Sequence, residues 1–330
     1  MNGYLETSKS RGFSLEAKGS DGDESIKVYL AQKVNTLQSF KSMFDTTKNT
    51  DPKKKEFHLG FEFKNVNITE SLGQFVPLEM IKAKGGKLTG NLELSQKHQE
   101  SVMKVKGRLD IKNGILEYED FDGDIKNVDA VIDMKKDNIS VDAKTLIENN
   151  PVTFKMNYSM SDQNMNMKLT TDNVPFKEIA RYKIIKDLNV NASGNVTGEL
   201  VAEIDTKKKE VTLDSKFSSP QMTLANYRFR DLKTSMKMSK EQILTLENTT
   251  FHFDEAISGF KVKNDVLVPK FTYNIKEKHG NGNYVITNKG SDYSIAKITG
   301  EASINKENVV KGNFASSELT GNYVINVKNQ

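Results

Sequence analysis

Apolar and polar residues alternate with a period of two along most of this chain, and that pattern leaves few folds open to it. Residues 152 to 160 place Val152, Phe154, Met156, Tyr158 and Met160 at every second position, with Thr153, Lys155, Asn157 and Ser159 between them. Side chains alternate across a β-strand, so such a run has one dry face and one wet face. The same reading applies to Phe57, Leu59, Phe61 and Phe63, and to Val128, Ala130, Ile132 and Met134. It applies again to Ile139, Val141 and Ala143, to Met165, Met167 and Leu169, and to Val211 and Leu213. Phe251 with Phe253, Phe271 with Tyr273 and Ile275, and Tyr323 with Ile325 and Val327 continue the pattern.

Turn chemistry falls between these runs, at Asn113-Gly114, Asp122-Gly123, Asp137-Asn138, Asn149-Asn150-Pro151, Ser161-Asp162, Asn281-Gly282 and Lys289-Gly290. The lysine runs Lys53 to Lys55 and Lys207 to Lys209 read as solvated hairpin tips. This rhythm predicts an all-β, antiparallel architecture. Helical spacing is rare. It predicts one amphipathic helix over 26–46, through Leu30, Val34, Leu37, Phe40, Met43 and Phe44, and shorter helices over 69–82 and 176–186. So few helices cannot cover so many strands. The sheet must curl, pair with a second sheet, or hold an apolar guest.

A repeat underlies the pattern. Asn65, Val66, Glu70, Gly86, Thr89, Gly90 and Leu92 recur as Asn173, Val174, Glu178, Gly194, Thr197, Gly198 and Leu200, an ungapped offset of 108 residues. Asp124-Ile125-Lys126 resembles Asp231-Leu232-Lys233 at an offset of 107, and Leu319-Thr320-Gly321-Asn322-Tyr323 echoes Leu88-Thr89-Gly90-Asn91-Leu92. The expected units are 1–64, 65–172, 173–280 and a partial 281–330. Each would hold a short helix, a Gly-x-x-x-Gly strand entry and four or five strands. Units repeated in line extend a surface, whereas a closed sandwich fixes its strand number, so the repeat favours an open apolar groove.

Chemistry-bearing constellations are scarce. His58, His98, His252 and His279 lie at no metal-binding spacing. The acidic run Glu117 to Asp124 lacks the Gly and Glu that a calcium loop needs at its sixth and twelfth positions, and reads as a solvated turn. Gly86-Lys87-Leu88-Thr89-Gly90 fits no nucleotide-binding loop. There is no Ser elbow and no cysteine. A net charge of +4 over 330 residues gives no reason to expect nucleic acid. The reading is a non-enzyme needing no cofactor and no metal.

The residues Gly86-Lys87-Leu88-Thr89-Gly90-Asn91-Leu92, Gly107-Arg108-Leu109-Asp110-Ile111-Lys112-Asn113-Gly114 and Ile125-Lys126-Asn127-Val128-Asp129-Ala130 carry a resemblance. Their order is similar to the AsmA-like superfamily of bacterial envelopes, of the TamB and YhdP type, over about residues 60 to 260. That resemblance implies an elongated, curled antiparallel sheet, apolar inside and polar outside. It implies a periplasmic role in moving phospholipid between inner and outer membranes, or in supporting outer-membrane protein assembly. The implied partners are phospholipid and inner- or outer-membrane proteins. Family members carry a membrane anchor, which is expected to lie outside this chain, since the chain reads as an excerpt of something longer.

The apolar faces are the remaining candidate site. The expected lining is Phe57, Leu59, Phe61 and Phe63; Val128, Ile132 and Met134; Val152, Phe154, Met156, Tyr158 and Met160; and Met165, Met167 and Leu169. Methionine and aromatic side chains suit a surface that must fit varied apolar shapes. The rival expectation is a structural or adhesive cell-surface β-repeat with a closed, lipid-free core.

Overall fold

The computed structural model describes residues 2–8, 12–18, 22–32, 56–68, 81–97, 104–118, 121–135, 137–181, 192–224, 227–257, 259–307 and 309–326. The chain is all-β: nineteen strands and one four-residue helix occur among the described residues. It divides into two compact units.

The first unit takes in residues 1–119, 123–145 and 157–162. Its strands are β1 (Asn2–Ser8), β2 (Gly12–Lys18), β3 (Ser25–Gln32), β4 (Glu56–Asn67), β5 (Ile81–Lys97), β6 (Lys104–Tyr118), β7 (Asp124–Lys135) and most of β8 (Asn138–Ile147). Each strand from β1 to β8 pairs antiparallel with the next.

The second unit takes in residues 120–122, 146–156 and 163–330. It holds most of β9 (Asn150–Ser159), then β10 (Asn164–Pro175), α1 (Phe176–Ile179), β11 (Ala192–Asp205), β12 (Glu210–Leu224), β13 (Tyr227–Met238) and β14 (Ile243–Ile257). It continues through β15 (Phe260–Asn274), β16 (His279–Asn288), β17 (Lys297–Ile304), β18 (Val309–Ala315) and β19 (Thr320–Asn326). From β10 to β19 every consecutive pair is antiparallel. Phe121 and Asp122 dock on the turn after α1. Asp122 N–H donates to the Arg181 carbonyl at 2.9 Å, Arg181 Nε donates back to the Asp122 carbonyl at 2.8 Å, and the guanidinium lies 4.4 Å from the ring centre of buried Phe121.

Long strands would drift out of phase with their apolar pattern were it not for a recurring device. Asn65, Asn113, Asn127, Asn173, Asp231 and Asn248 all have φ between 49° and 56°. Asn and Asp enter this left-handed region more readily than other residues with a Cβ. Each lies where the two-residue alternation slips by one: Phe63 to Val66, Ile111 to Gly114, Ile125 to Val128, Thr171 to Val174, Phe229 to Leu232 and Leu246 to Thr249. A β-bulge inserts one residue, turns the following side chains back to the original face, and bends and twists the strand. At the first bulge Phe63 pairs with Gly90 and Val66 with Leu88, so Lys64 and Asn65 together oppose Thr89. At the fourth, Thr171 pairs with Gly198 and Val174 with Val196. The lock is the same in both: Asn65 N–H donates to Thr89 Oγ1 at 3.1 Å, and Asn173 N–H to Thr197 Oγ1 at 2.8 Å. The 108-residue repeat is thus a repeat of strand register and of bulge chemistry.

Several sequence expectations are corrected. Residues 26–32 of the expected amphipathic helix are strand β3, because Ile26, Val28 and Leu30 pair in register with Phe63, Phe61 and Leu59. The rest of that segment lies outside the described residues, as do 69–80 and Lys53 to Lys55. The helix expected over 176–186 is four residues long, and 182–186 lie outside the described residues. Asn113-Gly114 is a bulge within β6, and Asn281-Gly282 lies inside β16, so neither is a turn. The Gly-x-x-x-Gly motif is not a strand entry in the first unit, since β5 begins at Ile81. Gly90 is needed there because its φ is +141° and a Cβ would sit 2.0 Å from the Arg108 carbonyl oxygen. The Asp124/Asp231 correspondence is not one of register: Ile132 and Thr234 hold equivalent places opposite Leu109 and Phe217, as Met134 and Met236 do opposite Gly107 and Ser215.

Two outcomes test the bulge locks. Thr89→Val and Thr197→Val each remove the acceptor of a bulge N–H and should each lower stability by about 1 kcal/mol in urea titrations. Asn113 N–H donates to Asp129 Oδ1 at 3.1 Å, and Lys112 Nζ lies 3.1 Å from Oδ2. First the backbone N–H and then the ammonium hold the Asp129 carboxyl below the usual carboxylate range. Its contribution is therefore fully present above the unfolded-state value of about 3.9 and is lost as pH falls through the lower folded value. Asp129→Asn should flatten the acid limb of the stability–pH curve in that window.

Candidate apolar binding face

Register places apolar residues side by side from strand to strand. In the first unit Leu5, Leu15, Val28, Phe61, Leu92, Gly107, Met134 and Ile139 are successive register partners. The neighbouring row runs Ile26, Phe63, Gly90, Leu109, Ile132 and Val141. This face is closed to water at its centre: Met134 is 1% exposed, Ile111 3%, and Leu109 and Ile132 4% each.

In the second unit one row runs Met167, Ala202, Leu213, Met238, Leu244, Tyr273, Gly280, Ile304, Val310 and Ile325. The next runs Leu169, Leu200, Ser215, Met236, Leu246, Phe271, Gly282, Ala302, Gly312 and Tyr323. At about 4.8 Å between strands, ten strands make an apolar surface roughly 45 Å across. Its exposure is unlike that of the first unit. Among the described residues no apolar side chain after Ala202 in the sequence is buried; those that β12 to β19 contribute to these two rows are half-buried or, at Ile325, exposed.

Glycines make the far end of this face thin. A Cβ on Gly300 would lie 2.5 Å from the Tyr284 hydroxyl, one on Gly312 2.3 Å from that of Tyr323, and one on Gly321 2.8 Å from the Phe314 ring. Aromatic rings therefore lie across the glycines of adjoining strands, the pairing that compensates glycine in a sheet. Tyr284 Oη donates to the Asn313 carbonyl at 3.0 Å, and burial followed by the neighbouring Tyr323 pushes its ionisation well above the usual phenol range.

The opposite face is charged and paired. Lys84 bridges Glu117 at 2.8 Å and Asp124 at 3.1 Å, which is where the acidic run of the sequence spends two of its carboxylates. Arg108 reaches Asp110 at 3.3 Å and Asp133 at 3.6 Å, and Arg230 reaches Asp254 at 2.9 Å. His252 Nδ1 lies 2.5 Å from Asp265 Oδ1, and Lys289 lies 3.3 Å from the same carboxylate. Partial burial works to raise the Asp265 pKa, but these two hydrogen bonds outweigh it and the group ends below its ordinary value. No group of His, Asp or Glu among the described residues is arranged to hold a metal ion.

The expected lining residues fall in both units. Leu59, Phe61, Phe63, Val128, Ile132, Met134, Tyr158 and Met160 belong to the first; Val152, Phe154, Met156, Met165, Met167 and Leu169 belong to the second. Phe63, Val128, Ile132, Met134, Val152 and Met156 are buried, and the others half-buried. The Phe57 side chain lies outside the described residues, although its backbone pairs in β4. Met160 is not a strand residue; it opens the turn after β9, and its N–H donates to the Asp137 carbonyl at 2.8 Å. Sequence reasoning missed the part of the face most open to water, from Met236 to Tyr323. Its signal was present as glycines alternating with aromatic residues at 280–284, 312–314 and 321–323.

Searches against family models, curated proteins and solved structures found no match.

Met134 pairs with Gly107, and Met236 with Ser215, at equivalent places of the repeat. Met134→Ala should cost about 2–4 kcal/mol, as for any fully buried methionine. Met236→Ala should cost about 1 kcal/mol or less, because less apolar surface leaves the interior. Chemical denaturation of the two variants measures the difference.

Proposed function

We propose that the apolar face of the second unit binds the hydrocarbon chains of lipids. One observation carries this reading: an apolar surface ten strands wide, broken in its two rows by Ser215 and by glycines, that remains half-exposed. Exposed apolar patches beyond a few hundred Å² mark interaction sites. A hydrocarbon chain laid along such a surface gains about 0.8 kcal/mol per methylene removed from water. Every strand of the two rows except β16 contributes an apolar side chain, so a chain shifted by one strand spacing meets apolar contacts again. That recurrence suits conduction more than storage.

Phospholipid as the guest, the periplasm of a bacterial envelope as the place, and membrane proteins at either end as partners rest on the motif resemblance alone. The same holds for a role in outer-membrane assembly. A second reading is favoured by the first unit, whose face is closed at Met134 and Leu109 like an ordinary core. A structural β-repeat would need nothing more.

Purified protein should carry acyl lipid detectable by native mass spectrometry and should bind a fluorescent acyl probe. Leu246→Asp combined with Ile304→Asp should weaken probe binding at least about ten-fold, since each carboxylate must be desolvated by the guest. Probe binding unchanged in a folded double variant would rule out this face as the lipid site.

A further inference from the structure

Aromatic residues and glycines alternate across the last strands of the second unit. Tyr284 of β16 pairs with Gly300 of β17, Gly300 with Phe314 of β18, and Phe314 with Gly321 of β19. In the neighbouring row Tyr323 of β19 pairs with Gly312 of β18. Gly300 thus has an aromatic partner on each side, whereas Gly321 has one on the β18 side alone among the described residues. The Thr-Gly pair at 320–321 also occurs at 89–90 in β5 and 197–198 in β11. There a further strand lies on the other side of the glycine, with Leu109 opposite Gly90 and Phe217 opposite Gly198.

The outer edge of β19 is made for pairing. Natural edge strands are ordinarily blunted by charge, proline or a bulge. β19 carries no Asp, Glu, Lys, Arg or Pro, and its register with β18 runs without a shift. Val324 is 68% exposed, Leu319 55% and Ile325 43%. Ser316 N–H donates to the Leu319 carbonyl at 2.8 Å, which sets the phase of the ladder. Hydrogen-bonded and non-bonded pairs alternate in an antiparallel ladder. Gly321, Tyr323 and Ile325 therefore turn their backbone groups to β18, and Thr320, Asn322 and Val324 turn theirs outward.

We propose that two copies of this chain pair through β19, antiparallel about a two-fold axis at Asn322. The strand that would continue the pattern has an aromatic residue opposite Gly321 and a glycine opposite Tyr323, two residues apart. β19 run in the opposite direction is that strand. Gly321 then meets the partner's Tyr323, Leu319 the partner's Ile325, and Thr320 the partner's Val324. The outward N–H and C=O groups of Thr320, Asn322 and Val324 pair with one another across the axis. All three exposed apolar side chains gain apolar or β-branched neighbours, and no like charges meet. The same patch serves both copies, so the contact closes at a dimer and does not grow into a fibre. This contact does not rest on the lipid-binding reading.

Sedimentation equilibrium of the full chain should show a reversible exchange between 37.1 kDa and twice that mass. The edge is only about 23 Å long, so the dimer should dissociate on dilution. The chain has no cysteine, so single thiols report the register. At the axis, opposed Cα atoms lie about 5.5 Å apart, within reach of a disulfide. Asn322→Cys should therefore link into covalent dimers under mild oxidation with diamide. Val324→Cys is more exposed but displaced along the strand from its own counterpart, and should stay largely unlinked. Asn322→Pro removes an outward N–H at an edge, where sheets accept proline, and should sediment as a monomer with an unchanged far-UV spectrum. A monomer at every concentration would overturn the proposal. So would linking at 324 as efficient as at 322, or a folded Asn322→Pro dimer. The cysteine pair decides the matter even if the proline variant fails to fold.

Discussion

The structure depends on phase. A sheet of consecutive antiparallel strands stays apolar on one side only if every strand presents the same parity at every crossing, and a slip of one residue inverts a whole strand. Strands β4, β6, β7, β10, β13 and β14, of 12 to 15 residues, hold phase through bulges at Asn65, Asn113, Asn127, Asn173, Asp231 and Asn248. At Asn65, Asn113 and Asn173 a polar side chain of the next strand, Thr89, Asp129 or Thr197, captures the N–H. Rows of eight to ten register partners follow from that local bond, repeated.

From the same register the two units arrive at different surfaces. The first encloses its rows around Leu109, Ile132 and Met134. The second leaves its rows half in water, thins them with glycines beneath aromatic rings, and interrupts them with hydroxyls. Neither outcome follows from strand pairing, which is equivalent in both. Side-chain choice at equivalent positions makes the difference: Phe63 against Thr171, Ile132 against Thr234.

Strand identity was legible wherever the alternation was clean, because a period of two has one structural meaning. The all-β class and the repeat are written in Phe57 to Phe63, Val128 to Met134 and Met165 to Leu169. The failures share a cause: local signals were read without their partners. Ile26, Val28 and Leu30 alternate, but the spacing of Leu30, Val34 and Leu37 suggested a helix, and pairing with Phe63, Phe61 and Leu59 makes 26–32 a strand. Asn113-Gly114 has the residues of a turn, yet Ile111 and Gly114 lie on one face, the mark of a bulge within a strand. The open part of the face escaped notice because glycine counts for nothing in an apolar tally, while here it is what lets Tyr284 and Tyr323 lie flat.

The bulge locks are built from residues of the polar side: Asn65 with Thr89, Asn173 with Thr197, Asn113 with Asp129. Nothing in them touches the row that a guest would meet. Mutations can therefore explore the inner surface without disturbing the frame that displays it, and a duplicated unit can change its selectivity from its first generation onward. In a chain built this way, architecture and affinity are inherited on separate sides of one sheet.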